Sequence, residues 1–123
     1  MDVQIIRINR VESNPIGPDY RYKLNEEWIE IKNTEYSSQQ LSGWKIWQKT
    51  YPSEKFSKAY EFGSFILGGY SLVKVHTGSG TNTQSDLYIG SGNFIWNNTG
   101  DEAHLDDNTG KTVSRMTVPP IDR

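Results

Sequence analysis

An all-β fold, a sandwich of two facing sheets, is predicted for this chain on three observations. Short segments rich in Val, Ile, Trp, Tyr and Phe recur along its length. Clusters of Gly, Pro, Asn and Ser separate them at intervals of about 8–15 residues. No long stretch carries the apolar period of an amphipathic helix. With 123 residues the chain is expected to form one domain, 1–123, around one core. Hydrophobic residues make up only 34% of it, but 12% are aromatic, and each large ring can remove about 150–250 Å² from water.

The elements follow in order. Val3 to Asn9 reads as a first strand, and Ser13-Asn14-Pro15-Ile16-Gly17-Pro18 ends it in a loop, because proline cannot donate to a ladder. In Glu27 to Asn33, Ile29 and Ile31 share one face and Trp28, Glu30 and Lys32 the other, so the isoleucines are assigned to the core and Trp28 to the outer side. Leu41-Ser42-Gly43 turns the chain into Trp44-Lys45-Ile46-Trp47-Gln48, where alternation buries Trp44 and exposes Trp47. Tyr60 and Phe62 mark a short strand, and Phe65-Ile66-Leu67 runs into Gly68-Gly69. From Tyr70 to Thr77, Val73 and Val75 face opposite to Leu72, Lys74 and His76. Asp86-Leu87-Tyr88-Ile89 and Phe94-Ile95-Trp96 flank a glycine turn, and Ala103 to Asp106 and Thr112 to Met116 bracket a hairpin turn at Asp107-Asn108-Thr109-Gly110. The total is about seven to nine strands, which suits two layers better than a barrel with a cavity.

Several function classes fall away on composition. The absence of cysteine removes disulfides, thiolate metal sites and cysteine nucleophiles. A net charge of -2 gives no general attraction for nucleic acid or anionic membrane. No apolar run approaches the roughly 20 residues of a membrane span, and the opening MDVQIIRINR lacks the apolar stretch of a signal peptide. The chain is expected to be unprocessed as written, or equally to be a domain cut from a longer exported protein, which would place it outside the cell or on its surface.

No catalytic residues are assigned. His76 and His104 are the only imidazoles, both are expected to point into solvent, and no G-x-S-x-G elbow accompanies them. No cofactor is expected. Asp101, Glu102, Asp106 and Asp107 cluster without the twelve-residue calcium loop, so a solvated acidic hairpin is preferred to a metal site. Tyr20, Tyr22, Trp47 and Tyr51 are the candidate ligand-binding residues, as an exposed aromatic platform suited to carbohydrate. Lys45, Lys49, Lys55 and Lys58 form the one basic stretch that speaks for nucleic acid or another polyanion, although a basic stripe is missing. A protein partner ranks first, with Val3 to Asn9 as the sheet edge offered to it.

A further set of residues is given structural roles. Asn33 ends a strand, where its amide can satisfy loop backbone groups, and Gly43 allows the sharp turn before Trp44 enters the core. In Asn98-Thr99-Gly100-Asp101, Gly100 can take positive φ while Asn98 and Asp101 accept turn N–H groups. The ordered series Glu27 to Asn33, Leu41 to Ile46, Phe62, Gly68-Gly69 before Tyr70 to Val75, Thr77 to Gly80, Asp86 to Tyr88, Trp96 to Leu105 and Asp107 to Lys111 resembles the lamin-tail domain over nearly the whole chain. The resemblance implies an immunoglobulin-like sandwich and a non-enzymatic interaction or scaffolding role, attaching a larger exported protein to a partner or a surface. It places Asn33, Gly43, Trp44, Trp96, Asn98, Gly100 and Asp101 in the family's structural pattern. No heptad rod or prenylation signal is present, so filament assembly and lipid anchoring are not carried over.

Overall fold

A computed structural model describes residues 5–12, 21–50, 55–92, 95–96 and 101–118. Ten strands occur among them: β1 (Ile6–Glu12), β2 (Trp28–Asn33), β3 (Gln39–Gln40), β4 (Lys45–Thr50), β5 (Lys55–Glu61), β6 (Ile66–Leu67), β7 (Leu72–His76), β8 (Asp86–Tyr88), β9 (Glu102–Asp106) and β10 (Thr112–Thr117). A short 3-10 helix, Arg21–Glu26, precedes β2. One sheet has the order β1-β2-β7-β8 and the other β10-β9-β4-β5, with β3 and β6 as a separate two-stranded pair. All pairings are antiparallel except β7 with β8.

Register explains why these segments became strands. Ile29 lies between Val11 and Val75, and Ile31 between Ile8 and Val73, so two rows of β-branched side chains each cross three strands. Ile29, Ile31, Val73 and Val75 are fully buried. Opposite them, β4 and β9 contribute Ile46, Ala103 and Leu105, also fully buried. Trp44, Leu41, Phe62, Leu67, Trp96 and Val118 complete the core. Trp44 is buried, as its alternation predicts, and replacing it with Ala would cost about 3–5 kcal/mol.

Three boundaries differ from the sequence reading, each for a local reason. The first strand runs to Glu12, because a bulge between Ile8 and Arg10 returns Val11 to the core out of the period set by Ile6 and Ile8; the predicted start at Val3 lies outside the described residues. Around Tyr60 the strand is seven residues long, extended toward Lys55 by pairing with β4. Ile95 and Trp96 are not in a strand, although Trp96 is buried, and Phe94 lies outside the described residues. Continuous apolar runs do not distinguish a strand from a loop that plugs a core.

Candidate functional site

Two buried polar side chains organise the loops. Asn33, fully buried at the end of β2, places its Nδ2 at 2.9 Å from the Ser37 carbonyl, 3.1 Å from that of Leu67 and 3.2 Å from that of Gly68. Its Oδ1 accepts the Glu35 N–H at 2.9 Å. One amide thus ties the residues after β2 to those after β6. Glu27, also fully buried, accepts at Oε1 from the Thr77 hydroxyl at 2.7 Å and from the N–H groups of Ile95 and Trp96 at 2.7 and 3.2 Å. It holds the Trp96 plug to Thr77, directly after β7. Asp101 is buried and receives a hydrogen bond from Gln48 of β4. Gly43 has φ +81, the left-handed conformation in which a Cβ is strained. Asn98 and Gly100 lie outside the described residues.

The acidic cluster does not converge on a point. Asp106 accepts from the Thr112 hydroxyl at 2.7 Å, Glu102 pairs with His104, and Asp107 folds back on its own turn. Among the described residues no group of three or more His, Asp or Glu could hold a metal ion. Asp107 Oδ1 accepts from Thr109 Oγ1 at 2.6 Å, Thr109 N at 2.9 Å and Lys111 N at 3.1 Å. These bonds, the Thr109 hydroxyl first, hold its carboxyl below the ordinary aspartate range.

Neither histidine is the solvated side chain expected from strand alternation. His104 is buried, with the Phe56 ring edge-on at 5.0 Å and Glu102 against Nε2. His76 stacks on Tyr88 at 4.9 Å, with Nδ1 at 2.8 Å from the Asn25 carbonyl and Nε2 at 2.8 Å from Asp86. The hydrogen bond from His76, then that from Ser85, lowers the Asp86 pKa. An outward strand face is thus no guarantee of solvation when neighbouring strands supply rings to cover it.

Of the predicted aromatic platform, only the Trp47 side chain lies among the described residues. Trp47 is half-buried instead of exposed, and its Nε1 is buried with no hydrogen-bond partner among the described residues. It lies on the outer face of β4, between His104 of β9 and Lys58 of β5 in register. Tyr20 and Tyr51 lie outside the described residues, as does the side chain of Tyr22. Trp28, on the outer face of β2, is half-buried beneath the Lys74 ammonium, 4.3 Å from its ring, and the Arg10 guanidinium at 5.7 Å.

Large exposed apolar side chains gather elsewhere. Tyr36 is 83% exposed, Tyr70 64%, Ile66 52%, Leu72 42% and Ile5 41%. The chain brings their backbones together around Asn33. The Ile5 carbonyl accepts from Thr34 N and Oγ1, both at 2.8 Å; Glu35 O accepts from Tyr70 N at 2.9 Å; and Ser71 O accepts from Asn33 N at 3.0 Å. Gly69 passes so close that a Cβ there would stand 2.0 Å from the Tyr36 carbonyl oxygen. Tyr70 itself has φ 58, and among the described residues no other non-glycine residue has positive φ. Leu72 continues this rim into a shallow groove of about 190 Å³ on the outer face of the first sheet, lined also by Glu30, Lys74, Ser85 and Asp86.

This rim was missed by pattern reading. Its signals were a single aromatic, Tyr36, in an otherwise polar loop, and a tyrosine directly after Gly68-Gly69, where the left-handed position had passed to a residue with a side chain.

The predicted edge strand is at the edge of its sheet. β1 is the first strand of its sheet, but Ile8 N already donates to Ser114 Oγ of β10 at 3.0 Å, so that edge is partly closed by the facing sheet. At the far edge of the second sheet, no strand pairs with the outer side of β5 among the described residues.

Among the described residues no helix is long and apolar enough to cross a membrane. A family model described as Lamin Tail Domain matches residues 2–119. No curated protein sequence matches the chain.

Proposed function

We propose a role from one premise: the chain belongs to the lamin tail domain family, whose members are non-catalytic immunoglobulin-like domains, and so to a class of interaction modules. The finer reading is that this domain is a non-enzymatic scaffold that binds another protein through the rim formed by Ile5, Tyr36, Ile66, Tyr70 and Leu72. What supports it is the strained backbone of Tyr70 beneath an exposed ring. A bulky residue at positive φ costs of order 1–3 kcal/mol, and such strained positions cluster at binding and active sites. Asn33 supplies the rigid footing that ties two stretches of chain, residues 35–37 and 67–68, beneath those side chains.

The chemistry suits a protein surface better than a sugar. Tyrosine brings a large apolar area and a polar tip at little rotamer cost, and Ile5, Ile66 and Leu72 add aliphatic area that desolvates well against another apolar surface. Carbohydrate stacking would use open aromatic faces flanked by hydrogen-bonding groups, and Trp47, the described member of the predicted platform, is half-buried.

Site-specific photo-crosslinking in the source cell tests the reading. A photoreactive phenylalanine at position 36 or 70 is expected to give a discrete protein adduct, and the same residue at the exposed loop position 81 none. If positions 36 and 70 give no adduct, or the same adducts as position 81, the rim is not a protein-binding surface.

A further inference from the structure

We propose that the open edge of β5 is a second binding site, separate from the rim, that accepts an extended acidic protein segment as an added strand. β5 closes its sheet, paired on one side with β4, and no strand pairs with its other side among the described residues. Its first four residues, Lys55, Phe56, Ser57 and Lys58, are all exposed. A strand packed on a core buries every second residue, so four consecutive exposed residues mean that neither face of this half of β5 is packed into the core. The register shift opposite Ile46 and Trp47 ends the regular stretch, and Ala59 and Tyr60 beyond it are partly buried. The site is therefore four residues long, enough for a short strand addition stabilised mainly by backbone hydrogen bonds.

Charge selects the occupant. β4 and β5 together hold Lys45, Lys49, Lys55 and Lys58 against Glu61, which is four of the 13 basic residues of the chain and one of its 15 acidic residues. Lys58 is paired with Glu61 at 3.2 Å, but both side chains are about half exposed and the pair can be exchanged at little cost. Lys55 has no carboxylate partner among the described residues. Phe56, 51% exposed, lies edge-on to His104 and beneath the Lys49 ammonium at 5.7 Å, which leaves an apolar contact between the lysines. Like charges would keep a second copy of β5 away, as lysines on edge strands commonly do, whereas a strand carrying Asp or Glu beside an apolar residue meets both features.

The test uses the full chain and synthetic peptides of alternating Glu and Val, Gln and Val, and Lys and Val, together with an oligothymidylate. Binding is followed by amide chemical shifts and amide hydrogen exchange. The Glu-Val peptide is expected to bind saturably, to slow exchange of amides within residues 55–58, and to weaken as salt is raised. The surface double variant Lys55→Glu/Lys58→Glu is expected to lose about tenfold or more in affinity while keeping its amide spectrum elsewhere. Equal binding of the Gln-Val peptide overturns the acidic preference and leaves strand addition standing. Binding without protection of residues 55–58, or unchanged in the double variant, overturns strand addition. Preferential binding of the oligothymidylate marks the lysines as a polyanion site. No binding by any peptide leaves them as edge guards, and the proposal fails.

Discussion

Replacing Asn33 with Ala should be among the most damaging polar substitutions available in this domain. The change deletes one side chain that serves three carbonyls and one N–H, of which the Leu67 carbonyl contact is buried and the others are partly buried. A buried acceptor left without a donor costs about 1–3 kcal/mol. The partly buried groups can recover water, so each contributes only the net value of its lost bond, about 0.5–1.5 kcal/mol. The expected loss is about 2.5–7.5 kcal/mol, against a total stability for domains of this size of about 5–15 kcal/mol.

Asn33→Asp sharpens the prediction. It has the same shape and keeps the acceptor for Glu35 N, but it removes both amide donors and sets a carboxylate against three carbonyl oxygens. It should therefore be no more stable than Asn33→Ala at neutral pH and should recover partly in acid, where the protonated carboxyl regains one donor. Urea unfolding followed by tryptophan fluorescence measures both, and hydrogen exchange of the Glu35 and Tyr70 amides reports whether the rim loosens with the clasp. A loss below about 0.5 kcal/mol for Asn33→Ala, the scale of an ordinary surface change, would refute the clasp as described.

Three other outcomes are expected. Glu27→Ala, which abandons the N–H groups of Ile95 and Trp96, should cost about 2–4 kcal/mol and shift native fluorescence to the red as the Trp96 plug loosens; Glu27→Gln, which can keep an acceptor oxygen there, should lose less in the same urea titration. At position 70, Gly relieves the positive φ but adds freedom to the unfolded chain, so Tyr70→Gly should stay within about 1 kcal/mol of the parent, while the β-branched Tyr70→Val should be clearly less stable and rank below it in thermal melts. Asp86 has a folded pKa below its unfolded value, so its contribution is present above the unfolded value and is lost as pH falls through the folded one. The melting temperature of the parent should therefore exceed that of Asp86→Asn at neutral pH, with the difference closing below about pH 4, and a gap unchanged down to about pH 2 would show that the His76 bond is not its source.

Much of the fold was legible because burial imposes a period. Ile29 and Ile31, Val73 and Val75, and Trp44 and Ile46 alternate cleanly with polar neighbours, and each pair is buried. The hairpin at Asp107 to Gly110 was legible from its turn residues, and Gly110 has φ +89 there. Where the backbone departs from strict alternation the pattern fails: the bulge that returns Val11 to the core extends β1 beyond the predicted Asn9, and Trp96 is held by a buried glutamate in a loop instead of a strand.

The candidate sites were harder to read, because they depend on what alternation does not encode: which strands end up at an edge and which loops meet. Lys55, Phe56, Ser57 and Lys58 have the composition of an ordinary surface strand. Their openness follows only from the place of β5 as the last strand of its sheet. Tyr36 and Tyr70 are 34 positions apart in sequence, and nothing local links them. What links them is Asn33, whose side-chain amide bonds Glu35 and Ser37 on either side of Tyr36 and Leu67 and Gly68 before Tyr70, while its backbone N–H donates to Ser71 after Tyr70. The same residue is thus a structural element by its contacts and a condition for recognition by its consequences: the rim can be a defined surface only while the clasp holds. Loss of rim crosslinks in an Asn33 variant is therefore expected alongside its loss of stability, whereas Tyr36→Ser should lose the crosslinks formed from position 70 while leaving the urea midpoint nearly unchanged, because that side chain is 83% exposed.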